Sequence, residues 1–362
     1  MMNKKKVIFV TGSLGTGGAE RVISILASGC ADLGAEVTLV VLREQSVAYS
    51  VSDKVNLIQI KSRGKLAAFH RIKQLHTILK NNSAGYVIPF MQVVSLYTLI
   101  ANIGVWKKII MSERNDPNVG LLRKELSLKN KIGYFFMITL GLHKLAHWTV
   151  FQTPDAQAWY SKKVQARSCI IPNPLDGRIL PKRYEGDRDH LIVAAGRLVE
   201  QKNFALLIKG FKRFYETHRD YQLIIYGEGE LQQELMEQSK LSGIDNAVFL
   251  PGFSKKLHED IHQAAMYVST SNFEGISNSM LEALGMGIPT IVTDCPAGGA
   301  KMFVKTDING ILIPMNDEDA LVSAMCKIAD NRDFAHRISE EAVKIKEELD
   351  ARTICEQWLS LV

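Results

Sequence analysis

The chain's 362 residues exceed what one hydrophobic core usually organises, since single cores stop growing near ~250–300 residues, and so imply two domains. With 46% apolar and 23% charged residues it is neither disordered nor collagenous, and cysteines 30, 169, 295, 326 and 355, odd in number and scattered, form no Cys-x-x-Cys pair, so that neither a disulfide framework nor a zinc knuckle is indicated and a reducing cytosol fits. The net charge of +6 hides an asymmetry: residues 1–178 hold 24 Lys and Arg against 10 Asp and Glu, net +14, and the remainder holds 20 against 28, net −8. A basic half of this kind suits an anionic surface, and without a nucleic-acid-binding module beside it a membrane is favoured over nucleic acid.

Met1-Met2-Asn3-Lys4-Lys5-Lys6 runs straight into a predicted strand at 7–11, an apolar run too short for a signal peptide. The loop Gly12-Ser13-Leu14-Gly15-Thr16-Gly17-Gly18-Ala19-Glu20-Arg21 then joins strand to helix. Backbone NH groups and a helix dipole at Gly17 and Gly18 favour an anion such as a diphosphate. It is not the dinucleotide fingerprint, because Glu20 stands where the third glycine belongs. Further strands are predicted at 37–42, 55–60, 85–90, 108–112 and 148–152, alternating with helical patterns.

Residues 65–80 read as an amphipathic helix, with Ala68, Ile72, Leu75 and Leu79 on one face, Lys73, His76 and Lys80 on another, and Lys65 and Arg71 beside them. Residues 81–106 are uncharged and long enough to raise a membrane span, but Asn81, Asn82, Pro89, Gln92 and Asn102 break them into a strand and a buried helix near 92–103. Met111-Ser112-Glu113-Arg114-Asn115-Asp116-Pro117 carries the next strand into a loop.

Ile171-Pro172-Asn173-Pro174 closes the first domain, placed at 1–175; a polar linker is placed at 176–189 and the second domain at 190–351. Its strands are predicted at 191–196, 222–226, 247–250, 266–269, 290–293 and 310–313. Directly after the first of them, Gly196-Arg197-Leu198-Val199-Glu200-Gln201-Lys202-Asn203 offers Arg197 and Lys202 as fixed cations for a leaving diphosphate, with no metal. Tyr226-Gly227-Glu228-Gly229 and Leu250-Pro251-Gly252-Phe253 end the next two strands as glycine turns.

Asn272-Phe273-Glu274-Gly275-Ile276-Ser277-Asn278-Ser279-Met280-Leu281-Glu282 sets two glutamates around a predicted helix start. Ser279 to Glu282 reads as a capping box, which alone would explain Glu282. It leaves Glu274 unexplained, at the end of a strand where open α/β sheets bind ligands. Gly275 lets the loop turn tightly and aim the NH groups of residues 275–279 at a polar, anionic ligand. Two metal motifs compete. His258-Glu259-Asp260-Ile261-His262 satisfies HExxH and would suit a zinc peptidase, but a strand and a loop separate it from Glu282. Asp187-Arg188-Asp189 and Asp317-Glu318-Asp319 fit DxD, one in the linker and one opening a surface helix, where solvated charge and capping suffice.

Taken together, Gly-x-Gly-Gly-Ala-Glu-Arg near the start, Gly-Arg-Leu ahead of Lys202-Asn203, and the Glu274/Glu282 pair with seven residues between resemble the family 4 glycosyltransferases over nearly the whole chain. The resemblance implies an α/β GT-B fold, two Rossmann-like domains with parallel sheets facing across a cleft and a final helix at 352–362 crossing back to the first. It implies Arg197, Lys202 and Glu274 as catalytic groups, with Glu274 on the donor sugar and Glu282 on the ribose. Gly17, Gly18, Gly227, Pro251, Gly252, Phe253, Gly275, Ile276, Ser277 and Asn278 would complete the donor site. Relatives place a histidine near residues 111–117; none stands there, leaving Arg114 and Asn115 as candidates for sugar or acceptor, and Arg71, Lys73, His76 and Lys80 for a lipid-linked pyrophosphate.

The implied reaction is retaining and needs neither metal nor cofactor. A hexose or N-acetylhexosamine passes from a UDP-sugar to a hydroxyl of a lipid-linked saccharide, at the cytoplasmic face of a bacterial inner membrane, in capsule, O-antigen or glycan assembly. The diphosphate oxygen takes the acceptor's proton in front-face attack. The alternatives are a nucleotide-sugar epimerase of the same fold, a lipid-surface binding protein, and the zinc peptidase.

Overall fold

A computed structural model describes residues 4–15, 17–44, 48–62, 64, 66–114, 117 and 128–362. The chain divides into two compact units, Met1–Pro174 with Leu349–Val362, and Leu175–Glu348.

The first unit is built on seven parallel strands: β1 (Lys6–Thr11), β2 (Glu36–Val41), β3 (Asn56–Gln59), β4 (Tyr86–Pro89), β5 (Lys108–Ser112), β6 (Trp148–Phe151) and β7 (Ser168–Ile170), in the order β3-β2-β1-β4-β5-β6-β7. β1 and β2 are almost continuous apolar runs because helices cover both faces of the sheet. On one face the helix Gly18–Asp32 packs with the C-terminal helix Ala351–Ser360, and the fully buried Trp358 stacks on Phe90 with ring centroids 5.8 Å apart. On the other, the helices Ala67–Asn81, Gln92–Ala101 and Leu128–Thr139 pack side by side over Ile8, Val10, Val87 and Met111. The uncharged window is thus a core strand and a core helix, and no described helix is long and apolar enough to cross a membrane. Strand order reverses between β1 and β4, the switch point at whose carboxyl end such sheets take ligands.

The second unit repeats the plan with six parallel strands: β8 (Asp189–Ala195), β9 (Gln222–Tyr226), β10 (Val248–Gly252), β11 (Ala264–Ser269), β12 (Thr290–Thr293) and β13 (Ile311–Ile313), ordered β10-β9-β8-β11-β12-β13. The helix Phe204–Tyr215 shows why it docks: Leu207, Ile208, Phe211 and Phe214 recur at helical spacing and are all fully buried. Both DxD segments are structural. Asp317 caps the helix Glu318–Asp330 by accepting from the Ala320 NH at 2.8 Å, and Glu318 pairs with Lys209 and Arg213. Asp187 pairs with Arg332, while Arg188 donates to the carbonyls of Ala264 and Gly287. The switch point here lies between β8 and β11.

Candidate active site

At the carboxyl edge of the second sheet, backbone groups lace the strand ends together. The Gly196 NH donates to the Tyr226 carbonyl and the Gly227 NH to the Gly252 carbonyl, each at 2.9 Å. A Cβ on Gly227 would lie 1.9 Å from the Gly196 oxygen, so only glycine permits this approach. The turn after β8 tightens into a 3-10 segment, Glu200–Lys202, and ends at Asn203 in the left-handed region (φ 48°). There the Asn203 amide donates to Asn272 Oδ1 at 3.1 Å, and Asn272 returns its backbone NH to the Gln201 carbonyl at 2.8 Å and its Nδ2 to the Glu200 carbonyl at 3.0 Å. Thr270 Oγ1 adds bonds to the carbonyls of Lys202 and Asn203. The loops after β8 and β11 are therefore stitched to each other across the switch point.

That stitching sets the charged groups. Lys202 Nζ lies 2.5 Å from Glu274 Oε2, with the two side chains 12% and 21% exposed. Gln201 Nε2 donates to the Phe273 carbonyl at 3.0 Å and reaches the same carboxylate oxygen at 3.4 Å, and Arg197 Nη2 donates to Gln201 Oε1 at 3.2 Å. Arg197, Lys202 and Glu274, distant in sequence, thus form one chain of contacts. The loop after β12 supports them from behind: the Glu274 NH donates to the Pro296 carbonyl at 2.7 Å, and Gly299 lies against the Gly275 carbonyl. Burial, reinforced by the Glu274 carboxylate, pushes the neighbouring Cys295 thiol up to about 12.

The capping box does not form as the sequence suggests. The helix is Asn278–Gly285 and its cap is Ser277, whose Oγ accepts from the Met280 NH at 3.4 Å. Ser279 is drawn away by tertiary partners, donating to the Ala195 carbonyl at 3.2 Å and meeting the Tyr267 hydroxyl at 2.8 Å. Glu282 then lies too far into the helix to serve the first NH groups. Its carboxylate is buried, and His258 Nε2 donates to Oε2 at 2.9 Å. This contact accounts for half of HExxH. The other histidine, His262, donates from Nε2 to the Lys182 carbonyl at 2.5 Å. Among the described residues no group of three or more His, Cys, Asp and Glu is arranged to hold a metal ion. Of the remaining donor-site residues, Gly275, Ile276 and Ser277 are buried around the Glu274 turn, Asn278 opens the helix, and Pro251 and Phe253 are exposed beside Gly252 (φ 89°).

In the first unit the residues are less gathered. Gly17 caps the helix Gly18–Asp32, but Glu20 folds back so closely that a Cβ on Gly17 would lie 2.3 Å from its Oε2, with Oε1 accepting from Ser13 Oγ at 2.7 Å. An anion arriving there meets a carboxylate as well as NH groups. Arg114 is buried: Nε donates to Ser112 Oγ at 2.7 Å, Nη1 to Asn173 Oδ1 at 3.0 Å, and the guanidinium lies over the rings of Phe90 and Trp358. Burial lowers it to about 9 against the opposing pull of Glu113. Asn115 lies outside the described residues, as does Lys65. In the basic helix, His76 Nδ1 meets the Ala101 carbonyl at 2.9 Å and Arg71 Nε donates to Ser62 Oγ at 2.8 Å, leaving Lys73 and Lys80 exposed.

One pair escaped the sequence reading. His143 Nε2 donates to Glu113 Oε1 at 2.9 Å, both side chains no more than 4% exposed, with the Tyr160 ring packed 4.7 Å from the imidazole. His143 stands on a 3-10 turn, Leu142–Leu145, and no spacing rule connects it to Glu113, 30 residues earlier.

Two doubly wound parallel sheets, one carrying a cation–carboxylate site at its switch point, define a protein of the GT-B class. Anabaena HepE, solved in complex with UDP and glucose, shares the fold at TM-score 0.80 and 16% identity over 99% of both chains. Residues 178–345 match the family described as Glycosyl transferases group 1, and the chain is a glycosyltransferase carrying that domain. Two Campylobacter jejuni relatives are similar over most of their length. One, named N-acetylgalactosamine-N,N'-diacetylbacillosaminyl-diphospho-undecaprenol 4-alpha-N-acetylgalactosaminyltransferase, is 25% identical over 86% of this chain and 87% of its own. The other, an alpha-1,4-N-acetyl-D-galactosaminyltransferase named for a GalNAc-extended diNAcBac-PP-undecaprenol, is 24% identical over 99% of this chain and 98% of its own. The comparisons support neither an epimerase nor a zinc peptidase.

Proposed function

We propose that the chain is a retaining, metal-independent glycosyltransferase. It moves a hexose or N-acetylhexosamine from a UDP-sugar to a hydroxyl of a lipid-linked saccharide, at the cytoplasmic face of a bacterial inner membrane, in surface polysaccharide or glycan assembly. The observation that carries this reading is the Lys202–Glu274 contact, with Gln201 and Arg197 behind it, at the switch point of the second sheet. Without donor, Lys202 neutralises Glu274. When a diphosphate arrives, the ammonium has a second anion to serve, and with Arg197 it stabilises the charge that grows as the sugar bond breaks. The carboxylate of Glu274, offering only acceptors, then suits the donor sugar's hydroxyls. Glu282, whose buried carboxylate is held by His258, takes the ribose hydroxyls. The undecaprenol-linked substrates named for the two Campylobacter relatives support the acceptor class, and the UDP bound by HepE supports the nucleotide.

The test is a thermal-shift screen of UDP, GDP, ADP and their sugar conjugates with a chelator present, followed by transfer assays. A UDP-sugar is expected to shift the wild type selectively. Glu274→Ala is expected to keep UDP binding and to lose at least ~10²-fold in turnover, the scale on which electrostatic groups act. Transfer at the original rate in that variant overturns the site.

A further inference from the structure

The helical layer over β4 to β6 of the first unit has a distinctive charge pattern. Residues 54–112 and 126–154 contain no Asp or Glu at all. Exposed Lys73, Lys80, Lys108 and Lys144 lie in these stretches. The same layer is apolar on its outside: nine of the seventeen exposed large hydrophobic side chains among the described residues fall between 66 and 145.

The most exposed of them is held out by a built device. Asn102 Oδ1 accepts from the Lys107 NH at 3.0 Å, its Nδ2 donates to the Lys107 carbonyl at 2.9 Å, and its own carbonyl accepts from the Trp106 NH at 3.2 Å. This bracket keeps Trp106 at φ 63°, a conformation bulky residues avoid, with the residue 81% exposed. β5 and β6 are parallel neighbours, so the segments entering them share the amino edge of the sheet. Ile103 and Trp106 enter β5 there, Leu140 and Leu145 enter β6, and Lys108 and Lys144 stand among them. An indole and aliphatic side chains interspersed with lysines and free of carboxylates match the interface of an anionic bilayer, where aromatics sit at headgroup depth and lysines meet lipid phosphates.

We propose that this amino edge, led by Trp106, is the surface by which the protein lies on an anionic membrane. The inference rests on the proposed lipid-linked acceptor for its biological sense, but it is measured without any sugar transfer. The full chain is mixed with vesicles of phosphatidylcholine alone or with phosphatidylglycerol, some carrying brominated acyl chains. Sedimentation with the phosphatidylglycerol vesicles at low salt, release as salt rises, and quenching of tryptophan fluorescence by the brominated chains are expected. Trp106→Phe should stay bound and lose most of the quenching. Trp106→Ser with Leu145→Ser, and separately Lys80→Glu with Lys144→Glu, should each weaken binding at least about tenfold, with circular dichroism unchanged.

Absence of sedimentation at low salt, or binding and quenching untouched by these changes, overturns the proposal. So does a concentration-dependent dimer in ultracentrifugation that Trp106→Ser abolishes, which would give the edge to a second copy. UDP-induced thermal shifts on the same samples separate this failure from failure of the transferase reading.

Discussion

Gly299 shapes the carboxylate loop by what it lacks. A Cβ there would lie 1.6 Å from the Gly275 carbonyl oxygen and 2.6 Å from its carbon, and both are backbone atoms that no rotamer change can move aside. Gly299→Ala must therefore push the loop of Glu274 off its bond to Pro296. The expected result is a loss of about 1–3 kcal/mol in urea unfolding, a typical range for a strained core substitution. A fall in transfer rate out of proportion to that loss is expected too, because the displaced carboxylate leaves Lys202; wild-type turnover would show that the loop tolerates the shift. At this scale the sequence was informative about Glu274, which stood outside any cap, and ambiguous about Glu282. Ser277 and Ser279 are both able caps, and the choice fell to Ser277 because Ala195 and Tyr267 hold Ser279. The partner of Glu282 was not legible, since His258 lies 24 residues earlier on a different element.

Among the elements, the C-terminal helix Ala351–Ser360 helps to close one face of the first sheet. Its fully buried Trp358 stacks on Phe90, and both rings lie under the Arg114 guanidinium. Trp358→Ala removes that packing and leaves the buried cation without one of its two aromatic faces. A loss of ~3–5 kcal/mol is expected, as for other buried aromatic truncations, read as a lowered denaturation midpoint together with a change in near-ultraviolet dichroism. Among the described residues, twelve of the thirteen strands were legible as short apolar runs set between helical patterns. β7 was missed, since three residues, Ser168, Cys169 and Ile170, give no run to read. The basic helix was legible as an amphipathic pattern, but not that His76 would turn inward to the end of its neighbour.

For the molecule as a whole, alkaline pH should weaken the fold, and two of the groups through which it acts lie in the second unit. Burial raises the Cys295 thiol from its ordinary 9.0 to about 12, and burial with the nearby Asp220 and Asp330 raises the Tyr221 phenol from 10.0 to about 12. Both groups hold their protons more tightly when folded. Their contribution to stability is complete below about pH 9 and is lost as pH rises toward 12. Cys295→Ala is expected to lessen the decline of Tm that starts near pH 9, with the raised thiols of Cys30, Cys169 and Cys326 and the Tyr221 phenol carrying the rest; an identical decline in the variant would count against Cys295 as a contributor.

The path of the chain has a consequence for synthesis. On the ribosome, the seven strands of the first sheet emerge first, the whole of the second unit follows, and the helix that covers Phe90 and Arg114 comes only after both. The nascent first unit must therefore wait with an apolar face uncovered while the later-made unit is already complete. Order of emergence and order of completion are opposite, and the unfinished face is where a chaperone would find the chain during translation.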